Sequence, residues 1–443
     1  MNIKQFEYKP LSHYSYAIVS NGEMAIVDPE RNPMQYYNYA EACNAKIVAV
    51  IETHPHADFV SSHLQIHQET GATIYNSKKL GGDYPHNSFD DGNSIKLGVV
   101  TLKAINTPGH SPDSITIVAT QGNETVLFTG DTLFIGDVGR PDLREKAGNM
   151  QAKRKELAKA MYNTMQNKFN DLPNDVLIYP AHGAGSLCGK NMSSDSSSTL
   201  GNERMGNWAF QKQTEEAFID TILEGQPMIP HYFGFAVDLN KKGAPNLRNS
   251  IGKISFKMNV TSLEGIVVDI RAEEKFKQNH IKGSYNIQAA SDNSKFETWL
   301  GAIIEPEEKF HLIIETSEDL DKMLHRIAKI GYEQNLLSVS TIADSVSSEN
   351  QKLDLEHFRK NTDDYTIVDV RNQSEIADGK IFENALAYPL NELRGTANNI
   401  PINKPIVVHC AAGYRSAAGS SILAQKLKNA KIYDLSDAIT EFK

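Results

Sequence analysis

Glu52-Thr53-His54-Pro55-His56-Ala57-Asp58-Phe59 follows an apolar run at 47–51, which sets two imidazoles and an aspartate at the end of a predicted strand. The same arrangement recurs three times. The run at 99–105 leads into Thr107-Pro108-Gly109-His110, that at 126–128 into Thr129-Gly130-Asp131, and that at 176–178 into Pro180-Ala181-His182-Gly183. In layered α/β proteins the carboxyl ends of strands converge on one edge of a sheet, where binding sites are built. A single histidine at a strand end reads as an ordinary structural residue, but four such coincidences of metal-capable groups read as a site.

Further short β-rich runs at 16–20, 25–27, 73–75 and 115–118 are interleaved with helical stretches at 33–44 and 153–166, which predicts an α/β layered domain. The Ser-, Gly- and Asn-rich segment 192–207 reads as a loop. A helical run at 208–223 follows it and ends near Gly225 and Pro227.

At 443 residues the chain is too long for one core, and a spacing of roughly one domain per 100 to 200 residues points to three. The formal charge of −10, without basic runs, argues against nucleic acid or an anionic membrane as partner. Residues 1–16 lack the succession of a signal peptide and no apolar run reaches spanning length, so a cytoplasmic protein is expected. Three widely separated cysteines, Cys43, Cys188 and Cys410, exclude a disulfide framework and fit a reducing compartment.

Beyond a Gly/Asn/Pro-containing stretch at 241–249 a repeat appears. Val267-Val268-Asp269-Ile270-Arg271, with His280-Ile281-Lys282-Gly283-Ser284 after it, is echoed by Ile367-Val368-Asp369-Val370-Arg371 and Gly379-Lys380-Ile381. Two copies of one small α/β module account for the remainder, joined through the polar stretch 344–354. Near the end, the apolar run at 405–408 and His409 lead into Cys410-Ala411-Ala412-Gly413-Tyr414-Arg415-Ser416, and 417–427 reads as a helix. A cysteine in a tight loop opening a helix is surrounded by backbone N–H groups and the positive end of the helix dipole, which favours a thiolate and then a persulfide anion. Arg415 adds a cation, so Cys410 is the candidate nucleophile.

The strand-end motifs resemble the metallo-β-lactamase superfamily, over about the first half of the chain. The resemblance implies an αββα sandwich spanning 1–245. Phe59 stands where two-metal hydrolases of that family carry a metal-binding histidine, which counts against a binuclear zinc site. What remains is a two-histidine, one-carboxylate set of His54, His110 and Asp131, suited to mononuclear non-haem Fe(II). The surrounding words, from Thr53 to Ser62 and from Ile135 to Leu143, resemble the persulfide dioxygenase branch. On that resemblance His56, Asp58 and His182 either orient the ligands or survive only as packing. Arg140 and Arg204 either pair with anionic groups of a thiol carrier or are ordinary surface arginines. Cys188 either relays sulfur or is a small buried apolar residue.

The segment 365–428 resembles the rhodanese family in Asp369, Arg371 and its six-residue cysteine loop, which implies that Cys410 carries a sulfane sulfur within the persulfide cradle Ala411 to Ser416. The first copy, 254–342, keeps Asp269 and Arg271 but has Leu312-Ile313-Ile314-Glu315-Thr316-Ser317 where the loop should begin. It reads as a spacing or docking domain without a nucleophile, followed by the catalytic copy at 350–443. Taken in order, the parts resemble bacterial persulfide dioxygenase–sulfurtransferase fusions. That resemblance implies small-molecule persulfides and O₂ as substrates, sulfite and thiosulfate as products, sulfide detoxification as the role, and a homo-oligomer, dimer or tetramer. The carrier thiol is open among glutathione, coenzyme A, bacillithiol and inorganic polysulfide. The competing readings are a zinc-dependent thioester hydrolase of the glyoxalase II kind with an appended rhodanese, and a non-enzymatic sulfur sensor.

Overall fold

The apolar runs of the first half become two six-stranded sheets in a computed structural model that describes residues 1–143, 153–289, 291, 294–346, 348 and 351–443. In the first sheet Asn2–Tyr8, His13–Ser20 and Glu23–Val27 are antiparallel, and Lys46–Ile51, Thr73–Asn76 and Asn87–Ser88 continue it in parallel. In the second, Ser94–Leu97, Val100–Asn106, Ile115–Gln121 and Glu124–Gly130 form an antiparallel meander, to which Leu177–Pro180 adds in parallel and Ser198–Thr199 then antiparallel.

Strand alternation distributes the side chains between layers. Tyr16, Ile18, Ala25 and Val27 point into a core shared with Leu102, Ile117, Val126 and Phe128 of the other sheet. Their neighbours Ala17, Met24 and Ile26 face the other way, onto Tyr36 and Ala40 of the helix Met34–Ala42 and Ile66 of the helix His63–Thr70. The outer face of the second sheet is covered by Ala158, Met161 and Met165 of Arg154–Asn167 and by Phe218 and Ile222 of Glu215–Leu223. This is the expected αββα sandwich.

Two local expectations are corrected. The segment read as a loop at 192–207 contains the helix Leu200–Gly206, because the Thr199 hydroxyl caps it at the Asn202 N–H and Leu200 and Glu203 are buried. The single helix expected at 208–223 is broken, because the Asn207 and Thr214 side chains each cap a new start, at Trp208–Phe210 and Glu215–Leu223.

The repeat is structural. Ser255–Val260, Leu336–Ile342, Phe310–Ile313, Ile266–Asp269 and Tyr285–Asn286 form one all-parallel sheet, and Leu386–Ala387, Thr366–Asp369, Ile406–His409 and Ile432–Asp434 another. In each copy the Asp-x-Arg pair closes the turn identically: Arg271 Nη2 donates to Asp269 Oδ2 and Arg371 Nη2 to Asp369 Oδ2, both at 2.7 Å. The guanidinium then reaches eight residues on, to the Asn279 and Gly379 carbonyls at 2.8 and 2.9 Å.

The chain divides into two compact units, Met1–Ser250 with Ala328–Gly331, and Ile251–Ile327 with Tyr332–Lys443. Apart from Ala328–Gly331, both copies of the module fall in the second unit. The Asn286 N–H donates to Ser421 Oγ at 3.0 Å and helps to join them. Asn350, the expected start of the second copy, and parts of the expected junction at 344–354 lie outside the described residues.

Phe128 is 1% exposed and packs against Tyr16 and Tyr179. Phe128→Ala should cost about 3–5 kcal/mol, read as a lower urea midpoint for the first unit; an unshifted midpoint would show that the inter-sheet core is not what holds the sandwich.

Candidate functional site

His54, His110 and Asp131 are buried, and each offers one ligand atom within 4.8 Å of the others. Asp131 Oδ2 lies 3.5 Å from His110 Nε2 and 3.7 Å from His54 Nε2. The rings are held from behind. His110 Nδ1 meets the Arg140 carbonyl at 2.9 Å, an acceptor only, so this nitrogen carries the proton and Nε2 presents its lone pair inward. His54 Nδ1 meets Thr53 Oγ1 at 3.1 Å, while that hydroxyl donates to Asp28 Oδ2 at 2.8 Å, which fixes the same tautomer. Among the described residues, His54 Nε2 and Asp131 Oδ2 are buried without a hydrogen-bond partner. Buried acceptors facing one another in this way call for a cation between them, so the residues present fit a metal ion.

The electrostatics agree. Burial would raise the Asp131 carboxyl, but the imidazoles of His182, His54 and His110 outweigh it and hold the group well below the usual carboxylate range. Burial, reinforced by His56, pushes His54 well below its usual value, so it stays a neutral ligand.

His182 and Asp58 are brought to the back of this set. His182 Nδ1 bonds Asp131 Oδ1 and Nε2 bonds Asp58 Oδ2, each at 2.7 Å. Burial opposes its charge, but the two carboxylates prevail and raise its pKa well above the usual value. His56 turns away from the set, with Nε2 3.1 Å from Asp28 Oδ1. Phe59 is fully buried, its ring centroid 3.9 Å from that of His13 and 4.3 Å from that of His56, and it makes an apolar wall. Cys188 lies with Asp58 and His182 in a second group of ligand-type atoms within 4.8 Å. Burial, then Asp58 and Asp131, push its thiol well above its usual value.

The structure does not bring the two candidate substrate arginines to the site as donors. Arg140 is 2% exposed and bidentate to Asp142 at 2.7 Å, with Nη1 on the Pro227 carbonyl, so only its own carbonyl serves the metal set. Arg204 spends its guanidinium on Asn174 and on the Phe169 and Leu172 carbonyls.

In the second unit Cys410 ends the strand Ile406–His409 and precedes the helix Tyr414–Lys426, and it is 1% exposed. The Gly413 N–H points at Cys410 Sγ at 3.2 Å. Gly413 has φ +97°, and a Cβ there would sit 3.0 Å from the Ser436–Asp437 backbone, so the turn admits glycine alone. Ser416 braces the loop by donating to the Gly413 carbonyl at 2.8 Å. Arg415 lines the cavity beside Cys410 with Ala411, Ala412 and Tyr414, but its guanidinium is bidentate to Glu375 at 2.5 and 2.8 Å.

Residues 8–182 match the metallo-beta-lactamase superfamily, and residues 255–340 and 354–443 the rhodanese-like domain. The crystal structure of a metallo-beta-lactamase from Staphylococcus aureus subsp. aureus COL is 32% identical, with a TM-score of 0.70, covering 77% of this chain and 99% of that one. The chain belongs to the metallo-β-lactamase superfamily. Tandem rhodanese-like modules extend it, as in a fusion of the two families. Its superfamily relatives include the mitochondrial persulfide dioxygenase ETHE1 of Homo sapiens, 30% identical over 137 residues, 31% of this chain and 49% of that protein. A probable hydroxyacylglutathione hydrolase of Schizosaccharomyces pombe is 31% identical over 176 residues, 38% of this chain and 63% of that protein. The chain thus spans about half to two thirds of the length of these curated relatives.

Two site residues of this superfamily member escaped the sequence reading. Asp28 closes the apolar run at 25–27 just as His54 closes that at 47–51, so the strand-end criterion applied once more would have found it. His13 precedes its run and carries no such signal. Because His182 anchors Asp131 from behind, His182→Gln should lower affinity for Fe(II) or Zn(II) about 10–100-fold, measured by chelator competition; parental affinity would contradict that role.

Proposed function

We propose that this protein is a persulfide dioxygenase joined to a sulfurtransferase. Its metal set of His54, His110 and Asp131 would hold one Fe(II) and turn a low-molecular-weight persulfide, O₂ and water into thiol, sulfite and protons. Cys410 would pass a sulfane sulfur to that sulfite, giving thiosulfate and clearing sulfide-derived persulfide in the cytoplasm. The reading rests above all on the three converging ligand atoms, with Phe59, in place of a further histidine, packed against His56.

Ferrous iron, when bound, supplies the redox chemistry by which O₂ adds to a persulfide sulfur. The chain's own residues do the positioning. Thr53 and the Arg140 carbonyl keep both imidazoles with Nε2 inward, His182 holds the far oxygen of Asp131, and Phe59 and His13 close one side against water. At the second site the Gly413 N–H favours the anionic sulfur of Cys410. Joining the two activities in one chain raises the concentration of one product at the other site. Among the described residues no helix is long and apolar enough to cross a membrane.

The two-metal thioester hydrolase is the second reading. The hydrolase among the relatives and the Asp58–His182–Cys188 group favour it. Against it stand Phe59 and the double engagement of His182.

Loaded anaerobically with Fe(II), the protein should consume O₂ with a low-molecular-weight persulfide and release thiosulfate. Cys410→Ser should keep parental oxygen uptake and accumulate sulfite. Abolished uptake in that variant would overturn the division of labour, and two zinc ions per chain with thioester hydrolysis would establish the second reading.

A further inference from the structure

Residues 53–62 form no helix or strand, yet the loop runs through the interior: His56, Asp58, Phe59, Val60 and Ser61 are each no more than 3% exposed. An irregular segment so deep must find partners for its backbone groups outside itself. Four of these groups find the helix Tyr232–Lys242. Asn240 Nδ2 donates to the His56 and Phe59 carbonyls, each at 2.8 Å, and Asn240 Oδ1 accepts from the Ser61 N–H at 2.8 Å. Tyr232 Oη donates to the Asp58 carbonyl at 3.0 Å.

The amide stands on an otherwise apolar stripe. Phe233, Ala236, Val237 and Asn240 follow the helical repeat on the buried face. A carboxamide there costs free energy unless its hydrogen bonds are made, and an apolar side chain of the same size would pack without that demand. Here both amide hydrogens and the oxygen are used, all on positions 56, 59 and 61 of one loop. Two carbonyls and one N–H also decide which end of the amide faces which group. The helix lies beyond residues 8–182 that match the superfamily, so this brace is not part of that match.

We propose that Asn240 and Tyr232 are positioning residues of the metal centre: they fix the backbone at 56–61, and with it the reach of Asp58 to His182 and of Phe59 to His13. The inference rests on the reading of His54, His110 and Asp131 as a metal set, and it holds for either proposed reaction. The path is short. Asp58 Oδ2 bonds His182 Nε2, and His182 Nδ1 bonds Asp131 Oδ1, each at 2.7 Å. A loop released from the helix shifts the Asp58 carboxylate, and Asp131 is then no longer held from behind. On the other side Phe59, whose ring centroid is 3.9 Å from that of His13, moves with its own carbonyl and opens the apolar wall.

The test uses the full chain, freed of metal and titrated with Co(II), whose visible absorption bands report the number and arrangement of its ligands. Tyr232→Phe, which removes one hydroxyl and keeps the ring, should weaken Co(II) binding about threefold. Asn240→Leu should weaken it about tenfold and shift the bands. Val237→Ala thins the same helix face without touching the brace; it should lower the urea midpoint while keeping the parental affinity and spectrum. Parental Co(II) affinity and bands in Tyr232→Phe and Asn240→Leu overturn the inference and leave the metal reading intact. An equal loss of affinity in Val237→Ala also overturns it, because the effect is then one of general destabilisation. If Asn240→Leu fails to fold, Tyr232→Phe decides alone, and parental binding in it overturns the inference. Parent protein that binds no Co(II) overturns the metal reading and the inference together.

Discussion

One buried carboxylate organises the first unit. Asp131 gives one oxygen to His182 and turns the other toward His54 and His110. An ionised group so deep within a protein is tolerated only where hydrogen bonds and opposite charge surround it. Those come from different places: His54 from the end of a strand of the first sheet, His110, Asp131 and His182 from strands of the second. The site exists only when the two sheets close face to face in register, so the core around Phe128 that joins them also sets the metal geometry.

The second unit shows how one frame serves two ends. The Asp-x-Arg closure is the same in both copies, down to the carbonyl each guanidinium reaches. What differs is the loop after the central strand. In the catalytic copy the Gly413 N–H is aimed at the Cys410 sulfur. In the other, a capping box between Thr316 and Asp319 occupies the corresponding turn, with the Asp319 carboxylate taking the Thr316 N–H at 3.1 Å. A loop that has satisfied its own donors holds no anionic sulfur.

Much was legible from sequence because strand signals are local. The alternation at 16–18 and 25–27, the four metal-capable residues at strand ends, the repeated Asp-x-Arg and the small-residue loop after Cys410 each lie within a few consecutive positions, where steric and hydrogen-bonding preferences act directly. The helix at 200–206 was hidden because its composition is that of a loop, and it forms through the Thr199 cap and the burial of Glu203 against the Gly136 N–H.

The sequence alone determined which chemical groups are available and on which edge of each sheet they emerge, since a strand's period of two and its carboxyl end follow from the covalent chain. Tertiary structure decided which of them meet. Arg140 and Arg415 read as available cations, yet Asp142 and Glu375 claim their charge. His56 reads as a support for the metal ligands or as packing, and its Nε2 faces Asp28. Pairing of this kind is a property of distance between segments far apart in the chain, and no local preference encodes it.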